Sequence, residues 1–261
     1  MPWEEIRESF FEDLKGEYIE NFLRDLPPWE VLKNLKEFLY DTVPPLPRII
    51  SIKTPLKEPL FLTEEGELYP LNVLEENEGR FFHRGKELRG AILHAGAVLM
   101  GRKIYFAKGV VVEPGAFLEE PCYFSENTQI RHASYVRGAV YTGAGAVIGH
   151  TTEVKNSLFL SGAKAAHFAY VGDSILGKNV NLGAGTKLAN LKFLKKEIIL
   201  EVGGQKINTG LKKLGAILGD RVQTGCNVVL QPGTLIGKDS YVYPCRAPSA
   251  GYYPPGTKIK A

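Results

Sequence analysis

Cysteine is scarce in this chain. Cys122, Cys226 and Cys245 are spread over 261 residues with no CxxC pair, too few and too scattered for a disulfide framework or a structural zinc site. There is no apolar run near 18 residues and no leader-like segment, so no membrane-spanning helix is expected and the expected compartment is a reducing cytoplasm. Charge of one sign is also missing: 32 Lys and Arg stand against 29 Asp and Glu, a net +3. Without a basic block, nucleic acid and membrane surfaces have little electrostatic claim on the molecule. What remains is solution chemistry on small molecules, in a chain long enough to bury a sizeable core.

The chain divides by pattern. Residues 1–47 place Ile6, Phe10, Leu14, Tyr18 and Phe22 at helical spacing, with Pro27 and Pro28 as an interruption. Two or three short helices are expected there, stopped by Pro44, Pro45 and Pro47, because proline lacks the donor a helix needs and pushes its predecessor toward extended conformations. Residues 48–90 read as short strands and turns without a catalytic motif.

From residue 91 the chain repeats with a period of six. One series of apolar or small residues runs from Ile92 through Val98, Ile104 and Val110 to Thr152 and Leu158. A second, offset by two, runs from Met100 through Phe106 and Val112 to Val154, Leu160 and Ala166. Positions two apart share one face of a strand, so both series should point inward. Helical spacing and ten-residue helices between strands are both absent, which leaves a solenoid of short strands with glycines at the corners. The pattern resembles the hexapeptide-repeat, left-handed parallel β-helix, an all-β fold whose triangular coil takes three hexads and whose handedness departs from the usual crossover rule. The repeat is expected to break near residue 170. Residues 193–213 alternate around Gly203 and Gly204, as expected for a hairpin insertion. Period six then resumes through Leu218, Thr224, Leu230, Ile236 and Val242, before a tail from 245 to 261 expected to wrap the surface.

An eighteen-residue coil converts spacing into geometry. Arg137 and Lys155 are eighteen apart and should stack about 5 Å apart at the backbone. Such a cation pair would welcome a bridging phosphate monoester, or would simply be solvated. His167 follows twelve residues after Lys155 and so belongs to another corner, in "GAKAAHFAYVGDS", where Asp173 is the other acid or base in view. His132 and His150 could stack as well, but His167 comes seventeen residues after His150 and reads as out of phase, so no metal site is expected.

The segment "TEVKNSLFLSGAKAAHFAYVGDSILGKNVNLGAGTKLANLK", 152 to 192, resembles the acetyltransferase domain of the bifunctional N-acetylglucosamine-1-phosphate uridyltransferase/glucosamine-1-phosphate acetyltransferase family, and the likeness is ungapped from Arg137 to Lys196. The resemblance implies an acetyl-CoA-dependent N-acetyltransferase acting on an amino-sugar 1-phosphate in nucleotide-sugar biosynthesis. It implies that His167 is the general base, a task suited to a side chain that titrates near neutrality. It further implies that Asn190, with the backbone N–H of Leu191, holds the oxyanion, and that Arg137, Lys155, Tyr170, Asn181 and Lys196 contact the sugar phosphate. Ala184, Cys226 and Pro244 fall at coenzyme A positions, the last two where the family has Ser and Ala, and Leu191 replaces a usual Tyr. A homotrimer with sites in the clefts between solenoids is implied too. No glycine-rich nucleotide loop precedes residue 90, so uridyltransferase activity is not expected here and a separate nucleotidyltransferase is an expected partner. Two other readings are a non-catalytic solenoid that binds a sugar phosphate or nucleotide sugar, and a metal-dependent hydratase.

Overall fold

The computed structural model describes residues 3–202 and 204–260. Most of it is the expected left-handed parallel β-helix, of about nine turns. The first wall stacks, among others, Val147–His150, Lys164–His167, Asn181–Leu182, Gln223–Thr224, Tyr241–Val242 and Lys258–Ile259. The second wall stacks Phe117–Glu119, Tyr135–Arg137, Glu153–Lys155, Tyr170–Gly172, Lys187–Leu188 and Val229–Leu230. The third runs from Ile104–Phe106 through Val140–Thr142, Ser157–Phe159 and Ile175–Leu176 to Tyr252–Tyr253. Inside, Val136, Ile148, Val154, Ala165, Val171, Leu182 and their counterparts above and below form one continuous apolar stack, all but fully buried.

The inward series holds from Ile104 to Val154. Before it, Ile92, Val98 and Met100 are only half-buried and Ala91, Leu93, Ala97 and Leu99 take the interior places, because Leu93 pairs with Val112 and Leu99 with Leu118, nineteen residues on. After Val154 the series slips again. Val136 pairs with Val154, eighteen residues on, but Val140 pairs with Ser157 and Thr142 with Phe159, seventeen on. The corner between Val154 and Ser157 holds only Lys155 and Asn156, where the coil before it has Arg137, Gly138 and Ala139. Three further expected inward residues are therefore displaced: Ala165 takes the interior place in the stack and Ala166 is only half-buried, while Leu158 and Leu160 are buried on the outer side of the third wall. After the insertion the series is again interior, with Leu218, Leu230, Ile236 and Val242 in the core.

The outer side of the third wall is covered by the N-terminal segment. Helices α1 (Trp3–Ile6), α2 (Glu20–Asp25) and α3 (Pro28–Thr42), with the chain between α1 and α2, pack Phe10, Leu23, Leu32, Leu35 and Leu39 against Tyr141, Leu158, Leu160, Ile175 and Ile217. Pro28 opens α3 rather than interrupting a helix, since the first helical position needs no N–H donor. Continuous helical spacing from Ile6 to Phe22 is not realised, because a 3-10 turn at Arg7–Ser9 and Gly16 at φ +86° break it. Glu17, nearly buried, anchors the cover: Tyr141 Oη donates to its carboxylate at 2.6 Å and the Ser161 N–H at 2.8 Å.

The insertion contains the expected antiparallel hairpin, Ile199–Val202 with Gln205–Asn208; Gly203 lies outside the described residues. Its buried Ile198, Leu200 and Val202 join the apolar cluster beneath the helices. The tail corrects its expectation. Instead of wrapping the surface it continues the solenoid, Tyr252–Tyr253 pairing with Leu235–Ile236 and Lys258–Ile259 with Tyr241–Val242.

Candidate active site

Two columns of corner residues flank the second wall. On the side of the first wall, Ile130 pairs with Ile148 and His150 with His167, so His132, His150 and His167 occupy successive coils in one line. The Gly185 N–H donates to the His167 carbonyl at 3.0 Å, that of Asn227 to Ala184 at 2.8 Å and that of Cys245 to Cys226 at 2.8 Å. The same line thus continues through Ala184, Cys226 and Pro244. His167 is not out of phase with His150, because the seventeen-residue coil brings their rings edge to face at 6.3 Å. Even so, among the described residues no three His, Cys, Asp or Glu side chains converge to hold a metal ion. The His167 ring is exposed, next to Phe168, which is 53% exposed and packs edge-on against His150 at 4.5 Å.

On the side of the third wall, Lys155 pairs with Gly172 and Val171 with Leu188, which aligns Asn156, Asp173 and Asn190 seventeen residues apart. Asn156 and Asp173 sit at φ 45° and 48°, a region that Asn and Asp enter more readily than most residues. The three are hydrogen-bonded. Asn156 Nδ2 donates to Asp173 Oδ1 at 2.9 Å, and Asn190 Nδ2 donates to Asp173 Oδ2 in a short bond. Lys155 Nζ donates to both oxygens at 3.2 Å. The Asp173 side chain is 7% exposed and that of Lys155 25%.

Between the columns lies the outer face of the second wall. Tyr170 crosses it toward the polar column. A Cβ at residue 172 would stand 2.6 Å from Tyr170 Oη and 2.7 Å from Asn190 Nδ2, so glycine there lets these two groups converge. Partial burial, and then the carboxylates of Asp173 and Glu153, push the Tyr170 phenol upward and keep it neutral. A shallow groove of about 430 Å³ is lined by Phe168, Tyr170, Lys187, Asn190, Leu191 and Val229.

The expected unrelieved cation stack is not present. Arg137 Nη1 donates to Glu153 at 2.8 Å and Lys155 is paired with Asp173, so each cation is already neutralised, and an incoming phosphate would have to share it with a carboxylate. Asn181 lies on the first wall, paired with Lys164. Lys196 is exposed on the insertion, and among the described residues no hydrogen bond or ion pair ties it to the groove. Pro244 lines a second groove of about 510 Å³ at the far end of the first wall, with Tyr241, Tyr243 and Lys258, whereas Ala184 and Cys226 do not line it. Sequence reasoning assigned no role to Glu153, Asn156 or Lys187. The signal for the polar column is a recurrence at seventeen, visible only once the shortened corner is recognised.

Residues 117–239 match the family described as GMPPB C-terminal domain. A bifunctional sugar-1-phosphate nucleotidylyltransferase/acetyltransferase of Sulfurisphaera tokodaii is 47% identical over 97 residues, 37% of this chain and 24% of that protein. A bifunctional protein GlmU of Methanococcus maripaludis is 38% identical over 109 residues, 42% of this chain and 26% of that protein. Another GlmU, of Picosynechococcus, is 36% identical over 114 residues, 44% of this chain and 22% of that protein. The chain therefore spans about a quarter of the length of these relatives. The residues matched by the family model, 117–239, take in the stretch from 137 to 196. No helix of the described residues is long and apolar enough to cross a membrane.

Proposed function

We propose that this chain is an acyltransferase that uses acetyl-CoA to N-acetylate an amino-sugar 1-phosphate, with His167 as general base. The observation that carries the reading is the second wall itself: an exposed imidazole at one edge and a carboxylate-held amide, Asn190, at the other, with a neutral tyrosine and an open groove between them. These are the parts that acyl transfer to an amine requires. His167 accepts a proton from the sugar's amino group as the nitrogen attacks the thioester carbon. The second N–H of the Asn190 amide and the Leu191 N–H receive the developing oxyanion, and the imidazolium returns its proton to the departing thiolate. Arg137 and Lys155 meet the sugar phosphate, exchanging part of their bonding to Glu153 and Asp173 for the new anion. Tyr170, Asn181 and Lys196 complete the sugar-phosphate contacts in this reading, and Ala184, Cys226 and Pro244 mark the coenzyme A path along the histidine column.

The name of the Sulfurisphaera tokodaii relative supports this choice of substrate class, since it couples sugar-1-phosphate chemistry with acetyl transfer. A homotrimer in the cytoplasm, working beside a separate nucleotidyltransferase, belongs to the same proposal. Sugar-phosphate binding without turnover is the second reading, favoured by Cys226 and Pro244 on the coenzyme A path. The test is thiol release from acetyl-CoA with glucosamine-1-phosphate, wild type against His167→Ala. A loss of about 10²- to 10⁴-fold in kcat with an unchanged melting temperature is expected. Equal activity in the two proteins removes the base assignment, and calorimetric binding of the sugar phosphate with no thiol release establishes the second reading.

A further inference from the structure

Asp173 has no role in the proposed reaction, yet it is the most heavily bonded carboxylate of the site. It is nearly buried and accepts from three side chains, those of Lys155, Asn156 and Asn190. Its own backbone continues the connection, its N–H donating to the Lys155 carbonyl at 2.9 Å and its carbonyl accepting from the Gly215 N–H at 2.8 Å. A buried carboxylate that loses one of these donors is left short of a partner, so all four groups are held in one arrangement. Two of the donors are the groups needed at the substrate, one for the phosphate and one for the oxyanion. An amide has two N–H groups on one rigid plane. Fixing one on Asp173 therefore aims the other, and does so before any substrate arrives.

The third donor reaches further. Asn156 Nδ2 donates to Asp173 Oδ1 at 2.9 Å and also lies 3.2 Å from the Leu32 carbonyl of α3. Asn190 stands at the neck of the insertion, its carbonyl accepting from the Leu214 N–H at 3.0 Å. The carboxylate thus sits where the helical cover, the insertion and the second wall meet.

We propose that Asp173 is the positioning residue of this site, orienting the Asn190 amide toward the oxyanion and the Lys155 ammonium toward the phosphate, with Asn156 bracing it against α3. The proposal rests on the acetyltransferase reading above. Asp173→Asn keeps the size of the side chain and replaces one acceptor oxygen with a donor that opposes Lys155 and Asn190. A displaced catalytic group costs about 10- to 100-fold, and that loss is expected in kcat, with the KM for acetyl-CoA unchanged. A double-mutant cycle separates positioning from general weakening. On an Asn190→Ala background, Asp173→Asn is expected to change kcat by less than about twofold, because the oxyanion donor it orients is gone, while the rise in KM for the sugar phosphate caused by the displaced Lys155 persists. If the two losses multiply instead, the proposal is overturned. Should Asp173→Asn fail to fold in a thermal melt, Asn156→Ala decides the matter: a kcat loss of about threefold supports the bracing and a wild-type kcat overturns it. Should the wild type itself release no thiol, the acetyltransferase reading fails separately. A crystal structure of Asp173→Asn then tests the positioning: rotated Asn190 and Lys155 side chains support it and unmoved ones overturn it.

Discussion

The second and third walls are built from the same short strands around the same interior, and their outer surfaces are opposites. On the third wall the outward positions are Tyr141, Leu158, Leu160, Ile175 and Ile217, sealed under the helices. On the second they are Arg137 and Lys187, exposed, and Glu153, Lys155 and Tyr170, half-buried, with no helix of the described residues over them. Coil formation constrains the inward residues alone. The outward ones are set by what covers them, so one wall of a solenoid can be spent on stability and another left for chemistry. The comparison predicts that changes on the third wall alter stability and leave turnover alone, as His167→Ala on the opposite edge should do the reverse.

Leu158→Ala is the largest change expected to break that contrast if it fails. Removing a fully buried leucine from beneath the helices should cost about 2–5 kcal/mol in denaturant melts, with kcat of the folded enzyme retained. A matching loss of kcat would show that the cover acts on the site through more than Asn156. Next in size is a pair that tests the shortened coil. Ala165 faces the interior and is fully buried, so Ala165→Leu should overpack the coil at about 1–3 kcal/mol. Ala166→Leu, at the half-buried neighbouring position, should cost well under that. A reversed order would restore the uninterrupted period of six.

The smallest effect concerns acid. Glu12 is held down to about 2 by its hydrogen bonds to Arg221 and then Lys238, and Asp239 is lowered by Arg221. Lowered carboxylates contribute stability above their unfolded pKa, about 4.3 for glutamate, and lose it as pH falls through the folded value. Asp220 opposes them. Burial raises its pKa, so protonation is easier in the folded state, despite the Glu12 and Lys178 N–H groups it accepts. Between pH 4.5 and 2 the N-terminal cover should loosen before the solenoid does. Both tryptophans, Trp3 and Trp29, are buried in that cover, so their emission should shift at a higher pH than the loss of β-sheet circular dichroism. Coincident transitions would contradict a separable cover.

Period six along residues 104 to 154 was enough for the solenoid, because an inward residue must be apolar or small whatever surrounds the coil; the longer coils before Ile104, where Leu93 and Leu99 face in place of Ile92 and Met100, were hidden by equally apolar neighbours. The residues from Arg137 to Lys196 carried the family likeness for the same local reason, being a contiguous string. The slip at Asn156 was not legible. A corner of two residues and one of three both look like small polar spacers, and Leu158 and Leu160 keep an apolar pattern beyond it, since the helices bury them as well as the core would. That one residue hid the alignment of His150 with His167 and the column of Asn156, Asp173 and Asn190. The ion pairs of Arg137 and Lys155 were hidden differently: Glu153 and Asp173 are sixteen and eighteen residues away from their partners, and nothing in the chain states which side chains turn toward one another across coils.

By itself the sequence determined the coil, its interior and the types of group placed at its corners, because spacing along a strand dictates which face a side chain takes. Tertiary structure decided which corners align and which wall is covered. It also decided which charges are already paired, since those depend on the length of each coil and on a segment that packs from more than a hundred residues away.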